Sequence, residues 1–469
     1  MILDGHNDLA LRTWLGEEPR HIDLARAADA GFAGGFFALL APAPEPEFPE
    51  APPYDLPFSP AVTLDEARRA TKGQLAALGG LDLTVVRRVE EIVPGRVNAI
   101  VHLEGAEPLE PDLSDLESWY DRGLRSVGVV WSRPNAFGEG VPFRFPSSPD
   151  TGPGLTEAGV NLVHACNLLG ILIDVSHLNE AGFWDVARLT QAPIVATHSN
   201  AHALCPSSRN LTDRQLDAIA GSGGVVGVNF AVYFLRADGH WDEATPLTEI
   251  VRHVDYLVDR MGADHVAFGS DFEGAVVPAE VGGVAGLPRL VAALRARGHD
   301  NETIEKITHR NWLRVLEDTW RPWGRYFRLA STDPRPTLVD AAERFPVPGL
   351  AVDLGAGTGR DTAELLRRGW SVLAIDREQE AIDRLRDLVG EDSARLETRV
   401  SRFEQAELPA CDLLNASFAL PFTPRSEFAG LWRRITGSIR SGGRFSGQFF
   451  GERDEWAGTG IVVHSRAAV

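Results

Sequence analysis

The sequence predicts an α/β protein of two domains: a closed (β/α)₈ TIM-like barrel over residues 1–322 and a Rossmann-like doubly wound domain over residues 323–469. A length of 469 residues favours two or three domains. Eight apolar runs alternate with amphipathic segments in the first part, and a glycine-rich turn follows another apolar run in the second. Residues 326–469 hold 19 basic and 21 acidic residues, whereas the remainder holds 27 and 45. This difference in charge indicates two unlike modules.

Strands alternating with helices define the first module. The eight predicted strands are Ile2–Leu9, Gly31–Leu40, Asn98–Leu103, Leu124–Trp131, Leu169–Val175, Pro193–Thr197, Val225–Phe230 and Val266–Phe268. The amphipathic segments between them include Thr156–Leu168, Glu180–Thr190, Thr212–Gly221 and Leu247–Met261. This alternation predicts parallel βα units, and eight of them in about 320 residues favour a closed barrel. An open doubly wound sheet is the alternative, because periodicity does not show closure.

Residues 41–60, after the second strand, are too rich in proline for a helix or a central strand. In a barrel they form a long loop over the active face. The loop is either a lid or substrate wall, or a solvated excursion, and the sequence does not decide between the two.

Side chains that can bind a metal follow the ends of several predicted strands. His6 and Asp8 are two residues apart, so an extended chain points both to the same side. Glu104, His177 and His198 follow the third, fifth and sixth strands. The carboxyl ends of barrel strands share one face, where barrel enzymes build their sites. Imidazole and carboxylate ligands suit zinc.

The carboxylate of Glu104 has two oxygens and can therefore bridge two cations. Two metals that share a carboxylate can also share a water, whose pKa falls enough to give a bridging hydroxide near neutral pH. The other four side chains would be terminal ligands. A carboxylated lysine bridge is disfavoured, because neither Lys72 nor Lys306 lies at a predicted strand end.

Two further residues complete the predicted site. Asp271 follows the eighth strand and is a candidate proton shuttle between the water and a leaving amine. Arg209 lies in the loop after His198, and its guanidinium could bind a substrate carboxylate through two hydrogen bonds.

Over residues 1–320 these motifs resemble the membrane (renal) dipeptidase family. The motifs are Asp4-Gly5-His6-Asn7-Asp8-Leu9, Leu103-Glu104-Gly105, Asp174-Val175-Ser176-His177, Thr197-His198-Ser199 with Arg209-Asn210, and Gly269-Ser270-Asp271-Phe272. The resemblance implies a barrel with two Zn²⁺ ions that hydrolyses dipeptides, including those with a C-terminal D-residue. It implies one zinc at His6, Asp8 and Glu104, and the other at Glu104, His177 and His198. It also implies that Asp271 transfers protons and that Arg209 binds the dipeptide carboxylate.

The chain departs from this family at Trp131, where many members carry a histidine that contacts the substrate. Tryptophan cannot accept a proton or present a cation to a developing oxyanion. Either Arg133 or Asn135 takes over the contact, or the substrate range differs.

A glycine-rich turn marks the second module, after a proline-containing linker at Arg321–Pro336. The strand Gly349–Leu354 leads through Gly355-Ala356-Gly357-Thr358-Gly359-Arg360 into the helix Asp361–Arg368. A second strand, Ser371–Ile375, ends at Asp376. Glycines let the backbone approach a cofactor, and an acid after the next strand can bind ribose hydroxyls. Nicotinamide binding is one interpretation.

The other interpretation follows from a resemblance to class I S-adenosylmethionine-dependent methyltransferases. The motifs are Asp353-Leu-Gly-Ala-Gly-Thr-Gly, Cys411-Asp412-Leu-Leu-Asn415-Ala-Ser417 at a fourth strand, and Ser441-Gly442-Gly443 before a fifth. The resemblance implies cofactor contacts from Asp353, Gly355, Gly357 and Asp376. Such enzymes usually add a helix and a hairpin after the fifth strand, so the domain is expected to be incomplete, to bind S-adenosylmethionine and to turn over weakly or not at all.

The composition limits the cellular location and the binding partners that can be expected. A net charge of −20 argues against nucleic-acid and anionic-membrane binding. The sequence has no apolar run long enough to span a membrane, no targeting segment before the first strand, and three widely spaced cysteines. A cytoplasmic protein with a small dipeptide substrate is expected. A homodimer is compatible with the sequence, but no interface is predicted.

Three alternatives to dipeptide hydrolysis stay open. The barrel could hydrolyse another amide or a lactone, methylation could be the main activity, or either module could be a non-enzymatic sensor of metal or cofactor.

Overall fold

The computed structural model describes residues 1–44, 51–320, 331, 333–423, 425–451, 453 and 463. The chain divides into two compact units, Met1–Pro322 and Trp323–Val469. Most of the predicted linker, residues 321–330 and 332, lies outside the described residues. No helix in the part of the chain described has the length and apolar character needed to cross a membrane.

Eight parallel strands form the barrel of the first unit, and each pairs with the next one around it; a short ninth strand, Thr84–Val85, pairs parallel with the third of them. They are β1 (Ile2–Asn7), β2 (Phe32–Leu40), β3 (Asn98–Glu104), β4 (Leu124–Gly128), β5 (Leu172–Asp174), β6 (Val195–Ser199), β7 (Val225–Val228) and β8 (Val266–Phe268). The predicted (β/α)₈ barrel is confirmed. Strand β4 ends at Gly128, three residues before its predicted end at Trp131. Trp131 therefore lies in the loop that follows the carboxyl end of β4.

The last strand meets the first just beyond its carboxyl end. The N–H of Asp8 donates to the carbonyl of Phe272 at 2.9 Å, and the N–H of Asp271 donates to the carbonyl of His6 at 3.1 Å. Asn7 and Phe272 form a parallel bridge at the same place. The open-sheet alternative is therefore wrong, and the seam brings Asp271 next to His6.

Helices cover the outside of the barrel. Their bounds are Leu9–Leu15, Leu24–Ala27, Leu64–Leu78, Leu116–Asp121, Glu157–Leu169, Glu180–Leu189, Asp213–Gly221, Val232–Leu235, Thr248–Met261, Leu287–Arg297, Asn301–Glu305 and Asn311–Trp320, with 3₁₀ turns at Val89–Glu91, Ala263–His265 and Val284–Gly286 and a π turn at Lys306–Arg310. Local sequence sets several starts: Thr63, Thr156 and Asn179 each accept a hydrogen bond from a backbone N–H in the first turn of the helix that follows.

Apolar side chains fill the amino end of the barrel interior. Leu3, Phe36 and Ile100 pack there against Trp312, which is fully buried and donates its indole N–H to the carbonyl of Phe268 at 3.0 Å. A Cβ on Gly5 would stand 2.6 Å from the Trp312 ring and 2.1 Å from the carbonyl oxygen of Thr197. Only glycine fits at this position. The packed amino end leaves the polar side chains to the opposite face.

Residues 45–50 of the proline-rich loop lie outside the described residues, but its second half is well packed. Tyr54–Asp55 pairs antiparallel with Arg144–Phe145. Tyr54 and Leu56 are buried beside Phe145 and Cys205. Buried side chains therefore anchor this part of the loop, several of whose other residues are exposed, and its role as a lid stays a prediction.

The second unit is a five-stranded parallel sheet in the order β11-β10-β9-β12-β13. The strands are β9 (Leu350–Leu354), β10 (Ser371–Asp376), β11 (Leu396–Val400), β12 (Cys411–Ala416) and β13 (Ile439–Gly447). The helices are Pro336–Glu343, Arg360–Arg367, Gln379–Val389 and Arg425–Ser438, with 3₁₀ segments at Gly390–Arg395 and Leu420–Phe422. The reversal of order beside β9 is the doubly wound arrangement, which places ligands at the carboxyl ends of β9 and β12.

One prediction in this unit is wrong. Gly442 and Gly443 were expected before the fifth strand, but they lie inside β13. The register between β13 and β12 shifts here. Cys411 pairs with Ile439, whereas Leu413, two residues later, pairs with Arg444, five residues later. An edge strand accommodates the extra residues as a bulge, and Gly442 has the positive φ, +81°, that such a bulge favours.

Candidate functional site

The structure brings the five predicted metal ligands together at the carboxyl end of the barrel. His6 lies in β1, Glu104 ends β3 and His198 lies in β6, while Asp8 and His177 follow β1 and β5. All five side chains are buried. His177 has a positive φ of 67°, an uncommon conformation for a residue with a Cβ. The strained turn directs this imidazole to the others.

Glu104 lies between two groups of ligands. Its Oε2 is 3.4 Å from the Nε2 of His6, which is itself 3.5 Å from the Oδ2 of Asp8. Its Oε1 is 3.1 Å from the Nε2 of His177 and 3.7 Å from the Nε2 of His198. Oε2 of Glu104 thus faces His6, and Oε1 faces His177 and His198, an arrangement that suits a bridging ligand.

Asp271 and Arg209 lie beside this cluster. Asp271 groups with His6 and Asp8, with one ligand atom from each residue within 4.8 Å of the others. Its Oδ2 accepts a hydrogen bond from Asn229 Nδ2 at 2.9 Å. Arg209, only 3 % exposed, donates to the Ser199 hydroxyl at 2.9 Å and to the carbonyl of His198 at 3.1 Å. Its buried Nε has no hydrogen-bond partner among the described residues, so the guanidinium keeps donor capacity for an anion.

Trp131 lies at the site, and Asn135 does not join it. The Trp131 ring is 5.9 Å from the His177 ring and 5.8 Å from Phe143. The amide of Asn135 serves its own loop: Nδ2 donates to the carbonyl of Val129, and Oδ1 accepts from the N–H of Phe137. The predicted substrate contact from Asn135 therefore receives no support from this geometry.

The guanidinium of Arg133 is also hydrogen-bonded to other residues of the chain. It donates to Glu107 Oε1 at 2.8 Å and to the carbonyl of Ala41 at 2.7 Å. Its guanidinium carbon lies 5.3 Å from the centre of the Trp131 ring, so Arg133 packs against that ring, and these contacts give no support to a substrate contact from Arg133.

Burial dominates the protonation of the cluster. It lowers the pKa values of His177 and His198 well below the usual range, which leaves neutral imidazoles with a lone pair for a metal. Burial raises the pKa of Glu104 to about 7, and it also raises the pKa of Asp271, with the Asp8 carboxylate adding to both shifts. Burial opposes charge on His6 as well, but Glu104 and Asp8 outweigh it and raise the His6 pKa.

The donor set fits cations. Neither ring nitrogen of buried His6, nor Oδ1 of Asp8, has a hydrogen-bond partner within the described part of the chain. The Nε2 atoms of His177 and His198 lie 3.1 Å apart. Buried polar atoms left unpaired in this way are costly unless something binds them. Neutral imidazoles and carboxylates are the ligands that zinc prefers.

Several supporting residues were not predicted as part of the site. His102 donates to or accepts from the Ser126 hydroxyl at 2.9 Å, and its ring lies 5.6 Å from that of His6. Asp4 accepts from the N–H and hydroxyl of Ser270, at 2.7 and 2.6 Å. Asp4 and His102 stand two positions before His6 and Glu104 on their strands. That spacing, a polar residue on the ligand side of an apolar strand, is the signal that could have found them.

In the second unit, the glycine-rich turn connects β9 to the helix Arg360–Arg367. Gly355, Gly357 and Gly359 all have positive φ, at 73°, 52° and 87°. Oδ2 of Asp376, at the end of β10, accepts from the N–H of Gly357 at 2.9 Å. Oδ1 accepts from the N–H of Glu378, so each oxygen keeps a free lone pair. The turn and Asp376 are adjacent and fit a cofactor with a ribose.

Asp353, which the resemblance assigns to the cofactor, is hydrogen-bonded to other side chains of the domain. Its oxygens accept from Asn415 Nδ2 at 2.8 Å and from the Thr362 hydroxyl at 2.6 Å, and the residue is 1 % exposed. It holds the start of the helix and β12 together, and we interpret it as a support of the turn. A Cβ on Gly355 would stand 2.5 Å from the Cβ of Ala419, so packing alone already requires glycine there.

Comparisons with known proteins divide the chain in the same way. The family model described as membrane dipeptidase (peptidase family M19) matches residues 1–321, and the one described as a methyltransferase domain matches residues 351–443. An uncharacterized protein in the pqqA 5' region of Klebsiella pneumoniae is 58 % identical over 222 residues, which is 47 % of this chain and 82 % of that protein. Dipeptidase verJ of Clonostachys rogersoniana is 26 % identical over 342 residues, 67 % of this chain and 83 % of that protein.

A solved structure matches the barrel. The metallo peptidase from Rhodobacter sphaeroides, liganded with a phosphinate mimic of the dipeptide L-Ala-D-Ala, is 47 % identical, with a TM-score of 0.66. The match covers 68 % of this chain and 99 % of that one.

Proposed function

The chain belongs to the membrane dipeptidase family, peptidase family M19, and we propose that its barrel hydrolyses dipeptides, including those with a C-terminal D-residue, at two zinc ions. That it is a metallo-dipeptidase with a methyltransferase-like second domain follows from the family matches. The observation that carries the two-metal proposal is the position of Glu104, with one oxygen toward His6 and the other toward His177 and His198.

His6, Asp8 and Glu104 would hold one ion, and Glu104, His177 and His198 the other. Zinc at these ligands supplies a Lewis acid for the scissile carbonyl and lowers the pKa of water enough to give a nucleophile near neutral pH. The protein's own residues supply the rest of the chemistry.

Asp271 moves the proton. Hydrolysis forms a carbon–oxygen bond from water and breaks the carbon–nitrogen bond, so one proton must pass from the water to the departing amine. Asp271 lies next to His6 and Asp8, and burial raises its pKa. A carboxylate with a raised pKa accepts a proton readily and can deliver it to the amine.

Arg209 binds the carboxylate of the dipeptide. It is buried next to His198, and its Nε has no partner among the described residues. The guanidinium carbon of Arg209 lies 5.9 Å from the centre of the Phe234 ring. The Phe143 ring is stacked on Phe234 at 6.2 Å, and the Trp131 ring lies 5.8 Å from Phe143. These rings link Arg209 to His177. They would favour an apolar side chain on the C-terminal residue, which lies between the scissile bond and the carboxylate.

The proposal that substrates include dipeptides with a C-terminal D-residue is supported by the solved Rhodobacter sphaeroides structure, which is liganded with a mimic of L-Ala-D-Ala. The deciding experiment compares L-Ala-D-Ala and L-Ala-L-Ala with the purified chain, after chelation and after zinc is restored. We expect dipeptide hydrolysis, including hydrolysis of L-Ala-D-Ala, that disappears with chelation and returns with two zinc ions per chain. Inactivity toward both dipeptides at full zinc occupancy would contradict the proposal.

One alternative substrate class is favoured by Trp131. The resemblance to the family implies a histidine at this position in many members, and Arg133 and Asn135 are hydrogen-bonded to other residues of the chain, so the pocket could take another amide or a lactone. Kinetics with N-acyl amino acids and lactones, run beside the dipeptides, separate these classes.

For the second domain we propose S-adenosylmethionine binding at the glycine-rich turn. The turn would contact the cofactor through Gly355 and Gly357, and Asp376 would bind the ribose hydroxyls through its free lone pairs. Isothermal titration of the full chain with S-adenosylmethionine tests this. Heat of binding that is lost in Asp376→Ala supports the assignment, and an absence of heat in the unaltered chain contradicts it.

A further inference from the structure

A buried hydroxyl connects the metal ligand His198 to a carboxylate. Thr197 precedes His198 on β6, and its Oγ1 lies 2.8 Å from the Nδ1 of His198 and 2.5 Å from the Oδ2 of Asp174. Asp174, Thr197 and His198 are each at most 1 % exposed. The contact is therefore shielded from water, and its partners are fixed.

The direction of these hydrogen bonds follows from counting protons. Asp174 Oδ1 accepts from the N–H of Ser176 at 2.9 Å and from the N–H of Thr197 at 2.8 Å. With these donors aimed at it, the Asp174 carboxylate acts as an acceptor only. The single hydroxyl proton of Thr197 must then go to Oδ2 of Asp174. The oxygen of the hydroxyl can only accept from His198, so His198 carries its proton on Nδ1.

This tautomer leaves the lone pair on the Nε2 of His198, the atom that faces the other ligands. That nitrogen is 3.7 Å from Glu104 Oε1 and 3.1 Å from the Nε2 of His177. In the other tautomer Nε2 would carry a proton, and His198 could not bind a metal there.

The backbone of Thr197 is held as firmly as its side chain. Its N–H is bound to Asp174, and its carbonyl oxygen points to the barrel axis, where a Cβ on Gly5, Gly227 or Gly269 would stand 2.0 or 2.1 Å away. These contacts fix the backbone that carries the hydroxyl.

We propose that Thr197 and Asp174 are positioning residues, which fix His198 in the Nδ1–H tautomer and orient its Nε2 toward the cation. The proposal rests on the two-metal function proposed above. It assigns to the Thr197 hydroxyl a role in metal affinity, separate from filling space in the barrel.

The test measures zinc affinity of the full chain. Thr197→Val keeps the shape and removes the hydroxyl, whereas Thr197→Ser keeps the hydroxyl. Thr71→Val is the matched control, because Thr71 is fully buried and its hydroxyl donates to the carbonyl of Ala67 within a helix, away from the metal ligands. Each metal-free protein is titrated with zinc against a chromophoric chelator, and bound zinc is counted after dialysis.

We expect one of the two zinc ions to bind about 10- to 100-fold more weakly in Thr197→Val, with Thr197→Ser and Thr71→Val close to the unaltered chain. Asp174→Asn is the second variant, in case Thr197→Val does not fold. An amide N–H facing Oγ1 would turn the hydroxyl proton toward His198, reverse the tautomer and weaken the same ion.

The outcomes separate the two proposals. If the unaltered chain binds fewer than two zinc ions, the two-metal function fails. If it binds two and a folded Thr197→Val or Asp174→Asn binds both with unchanged affinity, the positioning role is wrong. A serine variant that binds as weakly as the valine variant would also overturn it, since the hydroxyl would then not be the cause.

Discussion

Replacing Glu104 by glutamine should remove the proposed bridge between the two metal sites while keeping the shape of the side chain. One carboxylate oxygen becomes an NH₂ group, which has no lone pair to offer a metal. Oε1 faces His177 and His198, and Oε2 faces His6, so either orientation of the amide turns the NH₂ group toward one of the two sites. We expect the loss of at least one zinc ion and a fall in kcat/KM of about 1,000-fold or more, equivalent to about 4 kcal/mol.

The same substitution should stabilise the metal-free barrel above neutral pH. Burial raises the pKa of Glu104 from 4.5 to about 7. The folded barrel therefore holds this proton at pH values where the unfolded chain has released it, and stability falls as pH rises from about 4.5 through about 7. The shift corresponds to about 3 kcal/mol at pH 8. Glutamine has no charge to bury, so this cost disappears, and the lost interaction with His6 offsets only part of the gain.

Glu107→Gln is the control for this prediction. Glu107 is also buried just after β3, but its Oε1 pairs with Arg133 Nε at 2.8 Å. Breaking a buried ion pair leaves Arg133 uncompensated, which we expect to cost a few kcal/mol without loss of zinc. The two variants should thus differ in zinc content and in stability: Glu104→Gln should lose zinc and stabilise the metal-free barrel, whereas Glu107→Gln should keep zinc and destabilise it.

The assay combines zinc counting with urea unfolding of the chelated proteins at pH 5 and pH 8. Glu104→Gln should lose zinc and activity together, and its gain in stability should be larger at pH 8 than at pH 5. A Glu104→Gln protein that retains two zinc ions and full activity would refute the bridging role. Destabilisation of the metal-free form at pH 8 would refute the electrostatic reasoning.

Three further predictions concern single residues. Asp271→Asn should lower kcat by about 100- to 10,000-fold in steady-state kinetics while zinc content is unchanged, because a proton carrier is lost and the bridging carboxylate is kept. Loss of zinc would instead make Asp271 a ligand. Arg209→Met should raise KM for a dipeptide by about 10- to 100-fold and leave KM for the dipeptide amide, which lacks the carboxylate, nearly unchanged; equal effects on both substrates would exclude carboxylate binding. Burial raises the pKa of Asp353 to about 7, so thermal stability of the second domain should fall as pH rises from 6 to 8, and Asp353→Asn should abolish that fall; an unchanged pH dependence in the variant would contradict this.

The strands and their ligands could be predicted because each depends on local pattern. Apolar runs of strand length are written directly in the sequence, and β8 has the predicted bounds, Val266–Phe268. A ligand such as Glu104 or His198 is recognisable because it ends or follows such a run. Parallel pairing then requires these ends to meet on one face.

Local pattern was insufficient where an interaction joins distant residues. The bulge that places Gly442 and Gly443 inside β13 depends on pairing with β12. Asn135 looked available for substrate, but its amide bonds to its own loop. Arg209 reads as a loop residue in the sequence, and only packing against β6 makes it a buried cation beside His198.

Residue type and spacing along a strand were sufficient to predict the fold class and the family, and they also gave the candidate metal ligands. The arrangement of these candidate ligands depends on the folded barrel. Which oxygen of Glu104 faces which imidazole, and which nitrogen of His198 carries the proton, depend on contacts between β3, β5 and β6, strands tens of residues apart in the chain. The hydrogen bond from Thr197 to Asp174 exists only because the closed barrel places β5 beside β6.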